Sequence, residues 1–286
     1  METIYFLRDL IFTVADVEHF IIYCAVFSLL ELINPAHCEK NFLRPGQWTD
    51  ILHFIFSGSV IISGLKLVIY GSDKLGQYII PQILRDWIFM QPMWLQVLAI
   101  TIIADLGFYV THRMMHEYKC LWRFHAVHHS SEQLDWLAAF RVHPFDQLIV
   151  KGSSLFLIFF TGFSKDAIII ASTIYMWQSL LLHSNFRSHL GYLGHYIASP
   201  VFHHWHHANE PGSIDKNFGG QLLLWDRVFG TLNMPEPFPE KYGIDQTMPS
   251  NYFNQLMYPF ICLLTDSKWS KRNLTIKIDP RNYRGK

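Results

Sequence analysis

Five long apolar stretches set the main constraint on how this chain can fold. They lie at about 17–33, 51–70, 94–110, 146–163 and 166–182. Each approaches the ~20 residues that a helix needs to cross the hydrocarbon core of a bilayer. Each stretch also carries a polar or charged residue and is slightly short, so buried helices of a soluble α-protein are the competing interpretation. Tryptophan and tyrosine near many of the ends favour membrane helices.

The composition supports the membrane interpretation. Charged residues make up 16% of the 286 residues and hydrophobic residues 50%, whereas a soluble domain has about 25% charged residues. The 23 basic and 23 acidic residues cancel, so nucleic acid is not an expected partner. The four cysteines form no CxxC pair and predict reduced, mostly buried thiols. We predict an all-α integral membrane protein with about four to five transmembrane or membrane-embedded helices.

Two polar blocks, 111–145 and 183–234, are too polar to span a membrane. Basic residues in the first block place it on the cytoplasmic side. The last two apolar stretches predict a helical hairpin, whose ends return both blocks to the same face as a histidine-rich helical cap. The chain divides into N-terminal membrane helices (1–93), a histidine-rich region (94–234) and a tail (235–286), which contains the β-like segment "LTIKI".

Histidines recur at helical spacing in three short motifs. These are "HRMMH" with His112 and His116, "HAVHH" with His125, His128 and His129, and "HHWHH" with the same spacing at His203, His206 and His207. Residues three and four apart are neighbours on a helix, so the imidazoles of one motif can reach one metal ion or bridge toward two. His204 falls about 100° off the shared face and is not an expected ligand.

Three such motifs on one membrane face predict a metal centre rather than a solvated polar patch. The eight imidazoles exceed the ligands of one ion, so two ions with four or five nitrogens each are the natural division. His183 in "LLLHSN" emerges at the same face and is a ninth candidate. His143 lies near the second motif, and its role stays open. Imidazole suits zinc, copper, iron and nickel, so the spacing does not name the metal.

An acidic residue, Asp105, interrupts the third apolar stretch and shares one helical stripe with Tyr109, His112 and His116. An ionisable group inside a membrane segment is costly and usually functional. A carboxylate here could accept the second ring N–H of a ligand histidine and fix its tautomer. We therefore predict that Asp105 and Tyr109 support the ligands; a simple ion pair of Asp105 with Arg113 or another cation is the alternative.

The motifs and their flanks resemble the fatty acid hydroxylase / sterol desaturase superfamily of membrane di-iron enzymes over about 100–232. The flanks are "DLGFYVTHRMMHEYKCLWRFHAVHHSSE" and "NEPGSIDKNFGGQLLLWDRVFGT", and the chain looks closest to the branch of sterol desaturase-like proteins and alkylglycerol monooxygenase. The resemblance makes 94–234 the catalytic region. It implies that the nine histidines hold two iron ions, that O2 is the oxidant, and that a lipid C–H bond is hydroxylated or desaturated. Some members have a further histidine where this chain has Arg187.

The resemblance leaves the lipid open between a sterol, a fatty acyl chain, an ether lipid and a carotenoid. No haem domain, Gly-rich dinucleotide motif or iron–sulfur cysteine set is visible, so the electrons are expected from a separate donor, either a partner protein or a reduced cofactor. The active site is expected to face the cytoplasm, in a bacterial inner membrane or the endoplasmic reticulum. A histidine-rich metal transporter or metal-binding protein is the alternative, but its ligands should lie within spanning helices. A soluble zinc hydrolase lacks support because "HExxH" does not occur.

Overall fold

The computed structural model describes residues 17–38 and 44–265. Within these ranges the regular structure is helical, and extended pairing is limited to isolated bridges. The helices are α1 Val17–Ile33, α2 Gln47–Ile79, α3 Gln82–Phe89, α4 Met93–Glu117, α5 Lys119–His129, α6 Pro144–Thr161, α7 Lys165–His183, α8 Pro200–His206, α9 Leu224–Val228 and α10 Tyr252–Thr265. The prediction of a mostly helical chain is confirmed, and the "LTIKI" segment lies outside the described residues.

Each of the five apolar stretches forms a helix: α1, α2, α4, α6 and α7. Two of them, α2 and α4, are long and apolar enough to cross a membrane. Only 17% of the apolar window of α2 and 28% of that of α4 is buried in the protein. A core helix of a soluble protein would be mostly buried. These exposed apolar faces therefore indicate association with a membrane.

Proline and glycine mark where the helices begin and end. Pro144 and Pro200 occupy the first turns of α6 and α8, where the missing N–H is not needed. Gly162 ends α6 with a φ of +96°, and the Ser164 hydroxyl caps α7 by accepting the Ala167 N–H. The short turn between α6 and α7 therefore forms as predicted.

Helix α4 packs against both α6 and α7. Gly107 of α4 permits this closeness, because a Cβ at that position would lie 3.3 Å from the Cα of Ser154 on α6. The Ser154 hydroxyl donates to the carbonyl of Ala104, at 2.8 Å. Helices α2 and α6 run in the same direction, since Gly64 lies beside Leu148 and Gly76 beside Phe160. Their N-terminal ends meet the C-terminal ends of α4 and α7.

A buried ion network fixes the chain at this shared end. Arg44 donates to Asp50 and to Asp135, each at 2.5 Å, and Arg141 also pairs with Asp50. Because buried charges are stable only when paired, the network holds the segment around Arg141 in one position.

The cysteines are free thiols, but the expectation that they are mostly buried is wrong. Cys38 and Cys120 are exposed, and Cys24 and Cys262 are partly exposed. Both partly exposed cysteines lie on apolar helices, α1 and α10. Cys24 packs against the core cluster that contains Tyr23 and Phe27 but is only partly covered, and hydropathy alone does not tell how far such a position is covered.

Candidate metal centre

Nine histidines meet at this end of the molecule in two groups. The first group contains His112, His116, His125, His129 and His206, and the second contains His128, His183, His203 and His207. Within each group, the nitrogens that could bind a metal lie within 4.8 Å of one another. The structure therefore brings together all nine histidines proposed from the sequence, as sets of five and four.

Two short helices distribute their histidines between the groups. On α5, His125 and His129 join the first group and His128 joins the second; on α8, His206 joins the first group and His203 and His207 the second. Helical positions i and i+4 face one way and i+3 is rotated from them. The spacing left open whether the histidines of one motif stay together, and the structure divides each of these two motifs between the two groups.

The remaining ring nitrogens show which tautomer each histidine adopts. Nδ1 lies near an oxygen acceptor in five of the nine: His112 with Phe218 O (2.8 Å), His125 with Asp146 Oδ2 (2.8 Å), His128 with Arg141 O (3.1 Å), His183 with Ser179 O (2.7 Å) and His206 with Lys216 O (2.8 Å). Carbonyl and carboxylate oxygens only accept hydrogen bonds, so Nδ1 carries the proton and Nε2 the lone pair.

These lone pairs point at one another. The Nε2 atoms of His112 and His125 are 3.0 Å apart, and those of His128 and His183 are 3.2 Å apart. Neither atom of either pair has a proton to share, so a cation between them is needed to make the contact favourable. Two nitrogens at right angles around a metal, each at about 2.1 Å, would lie about 3.0 Å apart. The residues therefore fit metal binding.

Two further atoms support the same conclusion. The Nε2 atoms of His116 and His206 are buried and have no hydrogen-bond partner in the described protein. Buried polar atoms without a partner are rare in native proteins and commonly mark an ion or a reactive site. Both atoms belong to the first group.

Five of the ligand candidates at α5 and α8 are neutral at physiological pH. Burial, reinforced by repulsion between neighbouring imidazoles, lowers the pKa of His128, His129, His203 and His207 well below the usual value. Burial lowers the pKa of His206 to about 3. A neutral imidazole is the form that binds a metal, so the site does not have to lose protons first.

The prediction that Asp105 accepts an imidazole N–H is wrong, and so is the alternative ion pair. Its carboxylate accepts the backbone N–H groups of Gly220 (2.9 Å), Gln221 (2.7 Å) and Leu222 (3.1 Å), while Arg113 pairs with Glu117. Three amides of one turn satisfy a buried carboxylate as well as an imidazole would. Asp105 therefore holds the loop after the third motif.

Tyr109 supports that same loop rather than a ligand directly. Its hydroxyl and that of Thr231 are hydrogen-bonded at 2.9 Å, and its ring packs against Phe218. The carbonyl of Phe218 accepts the Nδ1 proton of His112. Asp226, which the sequence did not single out, accepts the N–H groups of Phe218 and Gly219. Carboxylates thus hold this loop from two sides.

Asp146 is a carboxylate that is hydrogen-bonded directly to a ligand candidate, and sequence reasoning missed it. It is fully buried and accepts the Nδ1 proton of His125. Its signal in the sequence was an acidic residue at the first position of the fourth apolar stretch.

The other histidines in doubt have structural roles. His204 is hydrogen-bonded to the Tyr242 hydroxyl (2.7 Å) and donates to Ser184 O (2.9 Å), so it faces away from both groups, as the helical period predicted. His143 caps α6 by accepting the Phe145 N–H, and its other nitrogen donates to Leu256 O. Arg187 donates to Ala36 O and is not part of either group.

Two adjacent cavities, which share part of their lining, lie beside the histidines. A small one of about 50 Å³ is lined by histidines of both groups. A larger one of about 240 Å³ extends between α2, α4, α6 and α7, among side chains such as Ile61, Ile69 and Ile158. The lining residues common to both are Phe108, Ala139, Val142, Lys151 and Tyr175. A hydrocarbon chain in the larger cavity could therefore present a carbon to the histidine centre.

Comparison with known proteins gives a consistent result. The fatty acid hydroxylase family model matches residues 97–231. The chain is 31% identical over 242 residues to ornithine lipid hydroxylase OlsE of Rhizobium tropici. This alignment covers 82% of this chain and 72% of the relative. It is 30% identical over 227 residues to human alkylglycerol monooxygenase, covering 76% of this chain and 47% of the relative. No solved structure matches.

The buried histidine centre, the apolar cavity beside it and these similarities together indicate a membrane-associated enzyme that oxidises lipids. The chain belongs to the fatty acid hydroxylase family. It is a lipid-oxidising enzyme, and the predicted family and activity are confirmed. The transporter alternative is not favoured. The chain spans less than half the length of the alkylglycerol monooxygenases of human and Xenopus tropicalis.

Proposed function

We propose that this chain is a non-haem di-iron enzyme that uses O2 to hydroxylate a C–H bond of a polar membrane lipid. The observation that carries the proposal is the pair of histidine groups, five and four, whose nitrogens converge beside a small cavity that shares lining residues with a larger apolar one. The relatives are named a hydroxylase and a monooxygenase, which favours insertion of one oxygen atom over desaturation.

Two iron ions held by the nine histidines would supply the redox chemistry that activates O2. The protein's own contribution is orientation. Carbonyl and carboxylate acceptors hold five imidazoles with Nε2 free, and α5 and α8 each serve both groups. The apolar cavity holds a lipid chain and excludes water, which would compete for the reactive centre.

The membrane placement forms part of the proposal. Helices α1, α2, α4, α6 and α7 are membrane-embedded, and the histidine end faces the cytoplasm as a helical cap. Exposed Lys119 and half-buried Arg113 support that orientation, because cytoplasmic segments are enriched in basic residues. Arg141 does not contribute, since it is paired with buried Asp50. The chain divides into membrane helices (1–93), a catalytic region (94–234) and a tail (235–286), and a separate protein donates the electrons.

Metal and oxygen analysis tests the proposed activity. Protein produced with sufficient iron should contain about two irons per chain, and a lipid product formed under ¹⁸O2 should gain one labelled oxygen atom. Since His128 belongs to the group of four and His206 to the group of five, we expect His128→Ala to lose more iron than His206→Ala. His204→Gln is the matched control from the same motif and should retain the iron. Zinc alone in the purified protein, or equal iron in all variants, would refute the proposal.

A further inference from the structure

Lys151 is a basic side chain at the junction of the two cavities. It projects from α6, is half-buried, and lines both the apolar cavity and the small cavity between the histidine groups. Its Nζ atom lies 5.9 Å from the centroid of the Tyr175 ring. In the part of the chain that the structure describes, Nζ makes no hydrogen bond or ion pair. The nearby carboxylate of Asp146 is bonded to His125 instead.

The two sides of Lys151 differ in chemistry. On one side, the small cavity is lined by ligand candidates of both groups, including His112, His125 and His183. On the other side, the larger cavity is lined mainly by aliphatic and aromatic side chains of α2, α4, α6 and α7. A molecule that fills both cavities therefore passes Lys151 at the point where its surroundings change from apolar to polar.

We propose that Lys151 binds an acceptor oxygen at the polar end of the lipid and thereby determines which carbon is oxidised. The hydrocarbon chain then extends into the apolar cavity, away from the histidines. The C–H bond presented to the centre lies a few bonds from the bound oxygen, rather than at the middle or the far end of the chain. A cavity lined by an unpaired donor discriminates against a ligand that lacks the matching acceptor.

The position at which the lipid is oxidised rests on the proposed function. Lipid binding by Lys151 does not, and this binding can be measured on metal-free protein. The probes share one chain length: 1-O-hexadecylglycerol, palmitate and hexadecane, competing for the protein in lipid nanodiscs. We expect the wild type to prefer each oxygen-bearing probe over hexadecane by about tenfold or more. Lys151→Met should reduce that preference to about twofold or less. Lys74→Met, which removes an exposed lysine of α2 outside both cavities, should leave the preference unchanged.

The two oxygen-bearing probes distinguish the kind of contact. If Lys151→Met loses the preference for palmitate alone, Lys151 binds an anionic oxygen. If it loses the preference for both probes equally, Lys151 binds a neutral acceptor. Lys151→Gln retains a hydrogen-bond donor and should keep the preference for hexadecylglycerol, which separates lost binding from misfolding. An unchanged preference in Lys151→Met overturns the proposal.

Product analysis on the iron-loaded enzyme supplies the second readout. The wild type should oxidise hexadecylglycerol at one position near its oxygen-bearing end, and Lys151→Met should give a mixture of positions at unchanged iron content. Mid-chain oxidation by the wild type overturns the role of Lys151 while leaving the proposed function intact. No oxidation of any lipid by iron-loaded wild type refutes the proposed function, and the binding result on metal-free protein then stands alone.

Discussion

Five of the nine imidazoles at the centre are oriented by the atom that accepts the Nδ1 proton. Four of the five well-defined acceptors are backbone carbonyls, which no side-chain substitution removes. The fifth is the carboxylate of Asp146, bonded to His125 at 2.8 Å. A carboxylate behind a ligand histidine fixes the ring and makes the metal-binding nitrogen more basic. Asp146 is therefore the side chain through which the metal affinity can be altered without removing a ligand.

Asp146→Asn should weaken metal binding while the nine histidines stay in place. The amide is similar in shape but carries no charge, so Nε2 of His125 becomes a weaker ligand. We expect a loss of about 10- to 100-fold in affinity at the first group, measured by iron titration of the metal-free protein. Asp166→Asn, an exposed carboxylate in the first turn of α7, is the matched control. Equal affinity in both variants would show that Asp146 does not act on the metal.

The histidines were predictable because a helix has a fixed period, whereas the supporting residues were not. The spacing of His203, His206 and His207 follows from the helix alone, and so does the exclusion of His204. The partners of Asp105 and Asp146 lie 115 and 21 residues away along the chain, as the Gly220 and His125 contacts show. Such contacts depend on how the helices pack, which one sequence does not reveal.

At the scale of elements, the loop 216–222 is as important to the centre as the helices. Its carbonyl groups at Lys216 and Phe218 accept protons from His206 and His112. Asp105 of α4 and Asp226 of α9 hold it through five backbone N–H groups. An irregular segment of this kind stays in one conformation only when its polar groups are satisfied.

Asp105→Asn should loosen this loop. An amide has one acceptor oxygen for three N–H groups, and its own NH₂ group would face one of the donors. We expect a loss of about 1–3 kcal/mol in stability, measured by thermal unfolding in detergent, together with lower iron affinity through His112. Glu117→Gln is the control, because it removes only a partly exposed pair with Arg113, which contributes about 0–1 kcal/mol. A smaller effect for Asp105→Asn than for Glu117→Gln would contradict this role.

Helix positions were also predictable, and for the same reason as the motifs. All five apolar stretches became helices, and the turn at Gly162 follows from local chemistry. The cavity between α2 and α6 was not predictable, because it depends on those two helices running in the same direction with α4 beside α6. Hydropathy records which residues avoid water, but it does not record which helices are neighbours.

At the scale of the whole molecule, one end carries the histidines and the apolar cavity extends toward the other. Arg85 of α3 donates to Phe160 O at that far end, and Gln96 accepts the Ser164 N–H there. The polar network of Arg44, Asp50 and Arg141 lies at the histidine end. The proposed membrane placement would put the centre near one surface and the lipid chain within the hydrocarbon layer.

The orientation of the histidine end can be measured with the protein's own thiols. Cys120 is exposed on α5, beside Lys119 and within ten residues of five ligand candidates. In the Cys38→Ser variant, Cys120 remains as the exposed thiol among the described cysteines, and a membrane-impermeant maleimide should label it only from the cytoplasmic side. Sealed vesicles of both orientations provide the comparison, and Cys120→Ser provides the background. The basic residues near Cys120 favour the cytoplasmic side. Labelling only from the opposite side would contradict the proposed topology.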